Sequence, residues 1–126
     1  ISPDVKWPMI ATADIARVAF EVITGPAWQG VQVRELLGAA DVSLGEGVKK
    51  LSELTGKPIQ FVQVPGEAAR QAMIGMGLGA SIAGKYVEMY EAAEKGLLEP
   101  ESKRDGRQYL TFEQFAKAAL APAIKN

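Results

Sequence analysis

Cysteine and histidine are both missing from this chain. Without thiols there is no disulfide framework, no sulfur nucleophile and no thiolate metal site, and cysteine usage says nothing of the redox compartment. Without imidazole, His-dependent triads and His metal centres are excluded, along with the side chain best suited to moving protons near neutral pH. No apolar run approaches bilayer thickness, and the first residues carry no basic and hydrophobic leader pattern, which a truncated start would hide. An excess of either charge is missing too: 14 basic residues against 15 acidic ones leave a net charge of -1. That balance provides no footprint for nucleic acid and no polybasic membrane anchor. What is present is ordinary, since 126 residues with 48% hydrophobic and 23% charged side chains suit one domain with a modest core. The expectation is a soluble cytoplasmic protein whose partner is a small neutral molecule or another protein surface.

Along the chain, Pro3 and Pro8 hold the first residues extended, and Met9 and Ile10 are apolar enough to form or cap a buried strand. Thr12 is then the expected N-cap of a helix whose inward stripe is Ile15, Val18, Ala19, Val22 and Ile23, with Asp14 in the dipole-favoured first turn. Gly25-Pro26 stops it. The alternation of Val31 and Val33 against Gln32 and Arg34 predicts a strand over residues 31–37. Ser43 and Glu46 have capping-box spacing before Leu44, Val48 and Leu51, which predicts a second helix ending at Gly56-Lys57-Pro58. Gly45 and Gly47 weaken its first turn by about 1 kcal/mol each relative to Ala.

Residues 59–64 are rich in β-branched and aromatic side chains, end at Pro65-Gly66, and carry the clearest strand signal. A helix over 67–75 breaks at a glycine cluster, and a longer one begins near Ala80 with Ile82, Tyr86, Met89 and Tyr90 on one face, closed by Gly96. Residues 97–108 hold charges without apolar periodicity and read as an exposed loop. Thr111 and Gln114 form another capping pair, opening a last helix that turns Phe112, Phe115, Ala116, Ala119 and Leu120 inward until Pro122. The sum is a helix-rich α/β chain of about five helices and two or three short strands. So few strands make a poor sheet alone, which points to a sheet whose other members lie elsewhere.

Familiar chemistry motifs fail on spacing. Gly79 to Tyr86 has two glycines and a lysine at phosphate-loop spacing, yet Tyr86 replaces the metal-binding hydroxyl residue and Gly84 falls inside a helix, so a helix junction is the better reading. Gly75, Gly77 and Gly79 do not form a dinucleotide fingerprint, because the third glycine comes one position early and no strand leads into them. No tyrosine is followed four residues later by lysine. Asp14, Glu35 and Asp41 lie nearest the expected strand ends, where α/β crevices open, although a helix-dipole partner or a solvated loop acid explains them equally well. Met73, Met76, Tyr86, Met89 and Tyr90 offer adaptable apolar surface for a small molecule, with core packing as the competing role. Trp28 sits on an expected turn, packing under it or at an interface.

The order of Met9-Ile10-Ala11-Thr12-Ala13-Asp14-Ile15-Ala16, Val33-Arg34-Glu35-Leu36-Leu37-Gly38 and Gly56-Lys57-Pro58-Ile59-Gln60-Phe61-Val62-Gln63-Val64-Pro65 resembles the C-terminal part of NmrA-like proteins, atypical relatives of short-chain dehydrogenase/reductases. Tyr90 to Gly96 and Thr111 to Ala116 extend the resemblance over nearly the whole chain. It implies that residues 1–126 form a single domain from the substrate side of a Rossmann-like protein, whose N-terminal region binds NAD(P). The absence of a leading Met and the run into Pro8 to Ala19 read the same way, as the interior of a larger α/β enzyme.

By that resemblance, Met9, Ile10, Thr12 and Asp14 border the cleft, and Met73, Met76, Tyr86 and Met89 cover it. They are substrate-binding candidates; no catalytic, cofactor-binding or metal residue is assigned. The implied role is substrate binding in an oxidoreductase or in a redox-sensing regulator, inactive alone, without cofactor binding by this chain alone. Its partners would be a small-molecule substrate and either the missing N-terminal region or further copies in a homo-oligomer. The other reading is a self-contained α/β module that binds a ligand or protein without redox chemistry.

Overall fold

Local capping signals translate directly into helices. The computed structural model describes residues 1–125, so that Asn126 of the expected 1–126 domain lies outside the described residues. In chain order the elements are β1 (Lys6–Trp7), α1 (Thr12–Thr24), β2 (Val42–Ser43), α2 (Leu44–Thr55), α3 (Gly66–Gly75) and α4 (Ala80–Glu94). A last rod runs through α5 (Phe112–Phe115), a π-helical turn (Ala116–Leu120) and α6 (Ala121–Lys125). The class is α/β and helix-rich, with five helical rods and two very short strands.

Both capping boxes are formed. Ser43 Oγ accepts the Glu46 N–H at 3.1 Å while the Glu46 carboxylate accepts the Ser43 N–H at 2.9 Å. Thr111 and Gln114 repeat the exchange at the start of α5. Gly56 closes α2 with φ of 69°, a left-handed turn that glycine enters without steric cost.

The strands differ from expectation. β1 and β2 pair antiparallel, Lys6 opposite Ser43 and Trp7 opposite Val42. Met9 and Ile10 lie just past β1 in irregular backbone, and neither 31–37 nor 59–64 is a strand. A strand signal is a promise of pairing, and no described neighbour pairs with either segment. Val31 and Val33 are therefore left 94% and 93% exposed.

Two other corrections concern helix ends. Ala11, with no side-chain cap, precedes α1, and Thr12 is already helical. Pro122 does not stop the last rod, because the π turn before it, with the Ala121 N–H bonded to the Ala116 carbonyl, opens the helix where the proline lacks a donor.

The core is thin and made mostly of small side chains. Ala11 and Val18 of the α1 region, Leu37, Ala83 of α4, Tyr109, Ala116 and Ala121 are buried. α1 turns Asp14 and Val18 inward, leaving Ile15 and Ile23 of the expected stripe exposed and Ala19 with them. In α4 the inward residues are Ala83, then Val87, so that Ile82, Tyr86 and Met89 face outward. α3 packs on α4, and α2 packs on the last rod and on β2.

Candidate functional site

The segment Pro8–Ile10 is held by backbone alone. The Gly38 N–H donates to the Pro8 carbonyl at 3.1 Å, and the Met9 N–H to the Trp7 carbonyl at 2.8 Å. Gly38 must be glycine at this contact, since a Cβ there would run into the Met9 carbonyl. Anchored in this way, Met9 and Ile10 separate two apolar grooves. One, of about 530 Å³, is lined by Trp7, Met9, Ile10, Leu44, Met89 and Tyr90, with Ile1 and Pro8 at its margin. The other, of about 290 Å³, lies toward Leu110, Phe112 and Phe115.

The larger groove is where the chain can hold a small apolar molecule. An indole, a phenol and two thioethers give it flat and adaptable walls, with the Tyr90 hydroxyl as a polar handle. Tyr86 extends the aromatic surface, its ring 6.4 Å from that of Tyr90 and tilted by 36°. Two further clefts of about 420 Å³ have different chemistry: Lys6, Asp41, Glu94 and Glu99 line one, and Glu21, Trp28, Arg34 and Arg107 the other. Among the described residues no cluster of metal-ligating side chains occurs.

Of the eight candidate residues, Met9, Ile10 and Met89 meet in the larger groove, and Tyr86 adjoins it through Tyr90. Met73 is half-buried on α3, while Met76 beyond its end is exposed. Thr12 is exposed at the start of α1. Asp14 is only 6% exposed, and its carboxylate accepts the Leu110 N–H at 2.8 Å and the Arg17 guanidinium at 3.1 Å. It ties α1 to the chain entering α5. Trp7 and Leu44 were not singled out by sequence reasoning; the available signal was an aromatic residue directly before Pro8.

Around Asp14 the polar contacts continue. Arg107 pairs with Glu21 and holds that carboxyl below its ordinary value. The Tyr109 hydroxyl donates to Asp105 at 2.8 Å, Arg17 lies 5.6 Å from the centre of the Tyr109 ring, and loss of water followed by the Asp105 contact raises the phenol. Ser102 lowers the Glu35 carboxyl first through its hydroxyl and then through its N–H, which donates at 2.7 Å. Arg104 reaches both the Gly38 carbonyl and Asp41. The charged loop after α4 thus fastens the 35–41 segment, and through Gly38 it supports Pro8–Ile10.

The glycines of the α3–α4 junction make no dinucleotide cradle. Gly77 has φ of 97° in a turn between two helices, and Gly84 and Lys85 lie inside α4. No strand leads into this junction, as a phosphate-cradling turn requires.

No family model matches the chain. It is 36% identical over 121 residues to an NAD(P)H azoreductase of Xenophilus azovorans, a match that covers 93% of this chain and 41% of the relative. The chain therefore spans about two fifths of the length of the curated relative it matches.

Proposed function

We propose that this chain is the C-terminal, substrate-side region of an NmrA-like NAD(P)-dependent oxidoreductase or redox-sensing NAD(P)-binding protein, and that the groove walled by Trp7, Met9, Ile10, Leu44, Met89 and Tyr90 receives a small, flat, apolar substrate. The observation that carries the reading is the meeting of Met9, Ile10 and Met89 in one apolar groove, in a chain similar to an NAD(P)H azoreductase. The relative's name supports an azo compound, an acceptor of reducing equivalents, as the substrate class to test.

The described residues do not fit NAD(P) itself: the Gly75 to Gly79 cluster joins helix to helix, and at the strand-to-helix junction of β2 and α2 the Glu46 N–H is already taken by Ser43 and the Glu46 carboxylate occupies the first turn, where a phosphate would be repelled. In the whole protein the dinucleotide, when bound elsewhere, supplies the hydride. The part played by this chain is to bind the acceptor, to orient it through apolar contact with Trp7 and the two methionines, and to offer the Tyr90 hydroxyl as a hydrogen-bond partner. Thr12, Asp14, Met73 and Met76 enter the proposal as support for the groove's frame and outer cover.

Calorimetric titration of the chain with a neutral azobenzene tests this. Saturable binding that Met89→Ala weakens about tenfold is expected, from the loss of a partly buried thioether worth about 1.4 kcal/mol. Binding that ignores Met89→Ala would place the ligand elsewhere and sink the assignment of the groove.

A further inference from the structure

Tyr90 lines two cavities at once. Besides the larger groove, it borders a cleft of about 160 Å³ that shares Ile1 with the groove and includes Gln63, Val87, Glu91 and Glu94. No charged side chain lines the groove, whereas its neighbour has two, both carboxylates. A flat molecule lying against the Tyr90 ring therefore has an apolar bed for its body and, past the phenol, a cleft of negative charge. That cleft has the volume of about five water molecules, enough for a small ammonium head.

The two carboxylates are not equally free. Glu94 accepts the Ser2 N–H and lies 3.8 Å from the Ile1 amino nitrogen. The Glu91 side chain has no hydrogen-bond or ion-pair partner among the described residues, although Glu88 on the same helix pairs with Lys85 at 2.7 Å. Both Glu91 and Glu94 occupy the last turn of α4, which holds no basic side chain, at the end where the aligned peptide dipoles are already negative. Lys95, which follows, lines neither cavity. Two acids placed where helix electrostatics favour bases break a local rule, and a bound cation relieves the conflict. The Tyr86 and Tyr90 rings, 6.4 Å apart, and the Trp7 indole of the groove add the negative ring faces that attract cations. The opposite wall has the same sign: the cleft sharing Trp7 and Pro8 with the groove holds Lys6 and Asp41, neutralised by Glu46 and Arg104, and leaves Glu94 and Glu99 in excess.

We propose that the groove selects flat aromatic compounds bearing a cationic substituent, and that Glu91 sets this preference by meeting the substituent in the cleft past Tyr90. The inference rests on the groove being the acceptor site and adds the charge class of what it accepts. An aryl sulfonate or carboxylate in the same pose meets like charge and is disfavoured. Glu91 is exposed, so water screens it, and the preference is several-fold rather than of many orders of magnitude.

The test titrates the full 126-residue chain calorimetrically with three probes of one shape: neutral azobenzene, azobenzene with a para trimethylammonium group, and azobenzene with a para sulfonate. At low salt the cation is expected to bind about fivefold tighter than the neutral compound, and the sulfonate about fivefold weaker. Both differences should shrink in about 1 M salt, where the Debye length is about 3 Å. Glu91→Gln keeps the side chain's shape without its charge and should bring the cation to within about twofold of the neutral compound. Glu99→Gln, at the Trp7 end, should leave the ratio of the two affinities near its wild-type value.

Equal affinities for the cation and the neutral compound overturn the charge preference, as does a sulfonate that binds as tightly as the cation. A preference that survives Glu91→Gln, or that falls with Glu99→Gln instead, overturns the role of Glu91. Neutral azobenzene that binds without any charge preference leaves the groove standing and ends this inference alone. No binding of the neutral compound ends the groove assignment, and this inference with it.

Discussion

Asp14 shows what a single buried carboxylate does in this chain. It is second neighbour to Thr12 at the start of α1, where a dipole partner was expected, yet its oxygens face the Leu110 N–H and Arg17. Replacing it with alanine leaves the part-buried Leu110 N–H without its acceptor and Arg17 with only Glu21 and the Gln108 carbonyl, and about 2 kcal/mol of stability is expected to go. Asp14→Asn keeps one acceptor and should lose less. Urea unfolding midpoints of the two variants check this; equal midpoints for Asp14→Ala and the wild type would remove Asp14 from the frame. The carboxylate's helical position was legible in the sequence, whereas its partner, nearly the whole chain away, was not. The same division holds for Met9, Ile10 and Met89, whose apolar character was readable but whose meeting with Trp7 depends on the chain bringing its first ten residues and α4 to one groove.

Among elements, the best-read features were those whose partners sit within a few residues. The Ser43–Glu46 and Thr111–Gln114 boxes close over one helical turn, and Gly25 and Gly56 end their helices where expected. Strands depend on distant backbone, which is why residues 31–37 and 59–64 carry the signal without the ladder. The π turn before Pro122 was hidden for a related reason, since a proline forbids one hydrogen bond but does not say whether the helix widens or stops.

Two predictions belong at this scale. Gly38→Ala drives a Cβ into the Met9 carbonyl, and a loss of about 3 kcal/mol is expected, with displacement of the groove wall. Thermal melts, with azobenzene titration at low temperature, check both effects; a fully stable, fully binding variant would contradict the anchoring of Pro8–Ile10. The second concerns acid. Glu46 is held below the ordinary carboxylate value first by the Ser43 N–H and then by Lys6, Glu21 by Arg107, and Glu35 by Ser102. A lowered native value means that each contributes stability above the ordinary range, about pH 4, and loses it as pH falls through the native value. The urea midpoint should hold from neutrality to about pH 5 and drop below about pH 4. Glu46→Gln should shrink that drop, while a midpoint rising in acid would contradict the assignment.

On the scale of the whole molecule, a core of mostly small side chains sits beside many exposed large apolar ones, Val31, Val33, Val62, Met76 and Ile23 among them. No described helix is long and apolar enough to cross a membrane. The groove is the feature on which the proposed reading rests: a region that holds an acceptor while another part of the protein holds the dinucleotide. The most direct measurement is a pair of titrations on the Trp28→Phe chain, in which Trp7 is the only indole left to report on the groove. A neutral azobenzene should change Trp7 emission saturably, with calorimetry giving the same midpoint, and NADPH should give no saturable change by either readout. Micromolar NADPH binding to this chain alone, with no azobenzene binding at Trp7, would contradict the division of labour proposed for it.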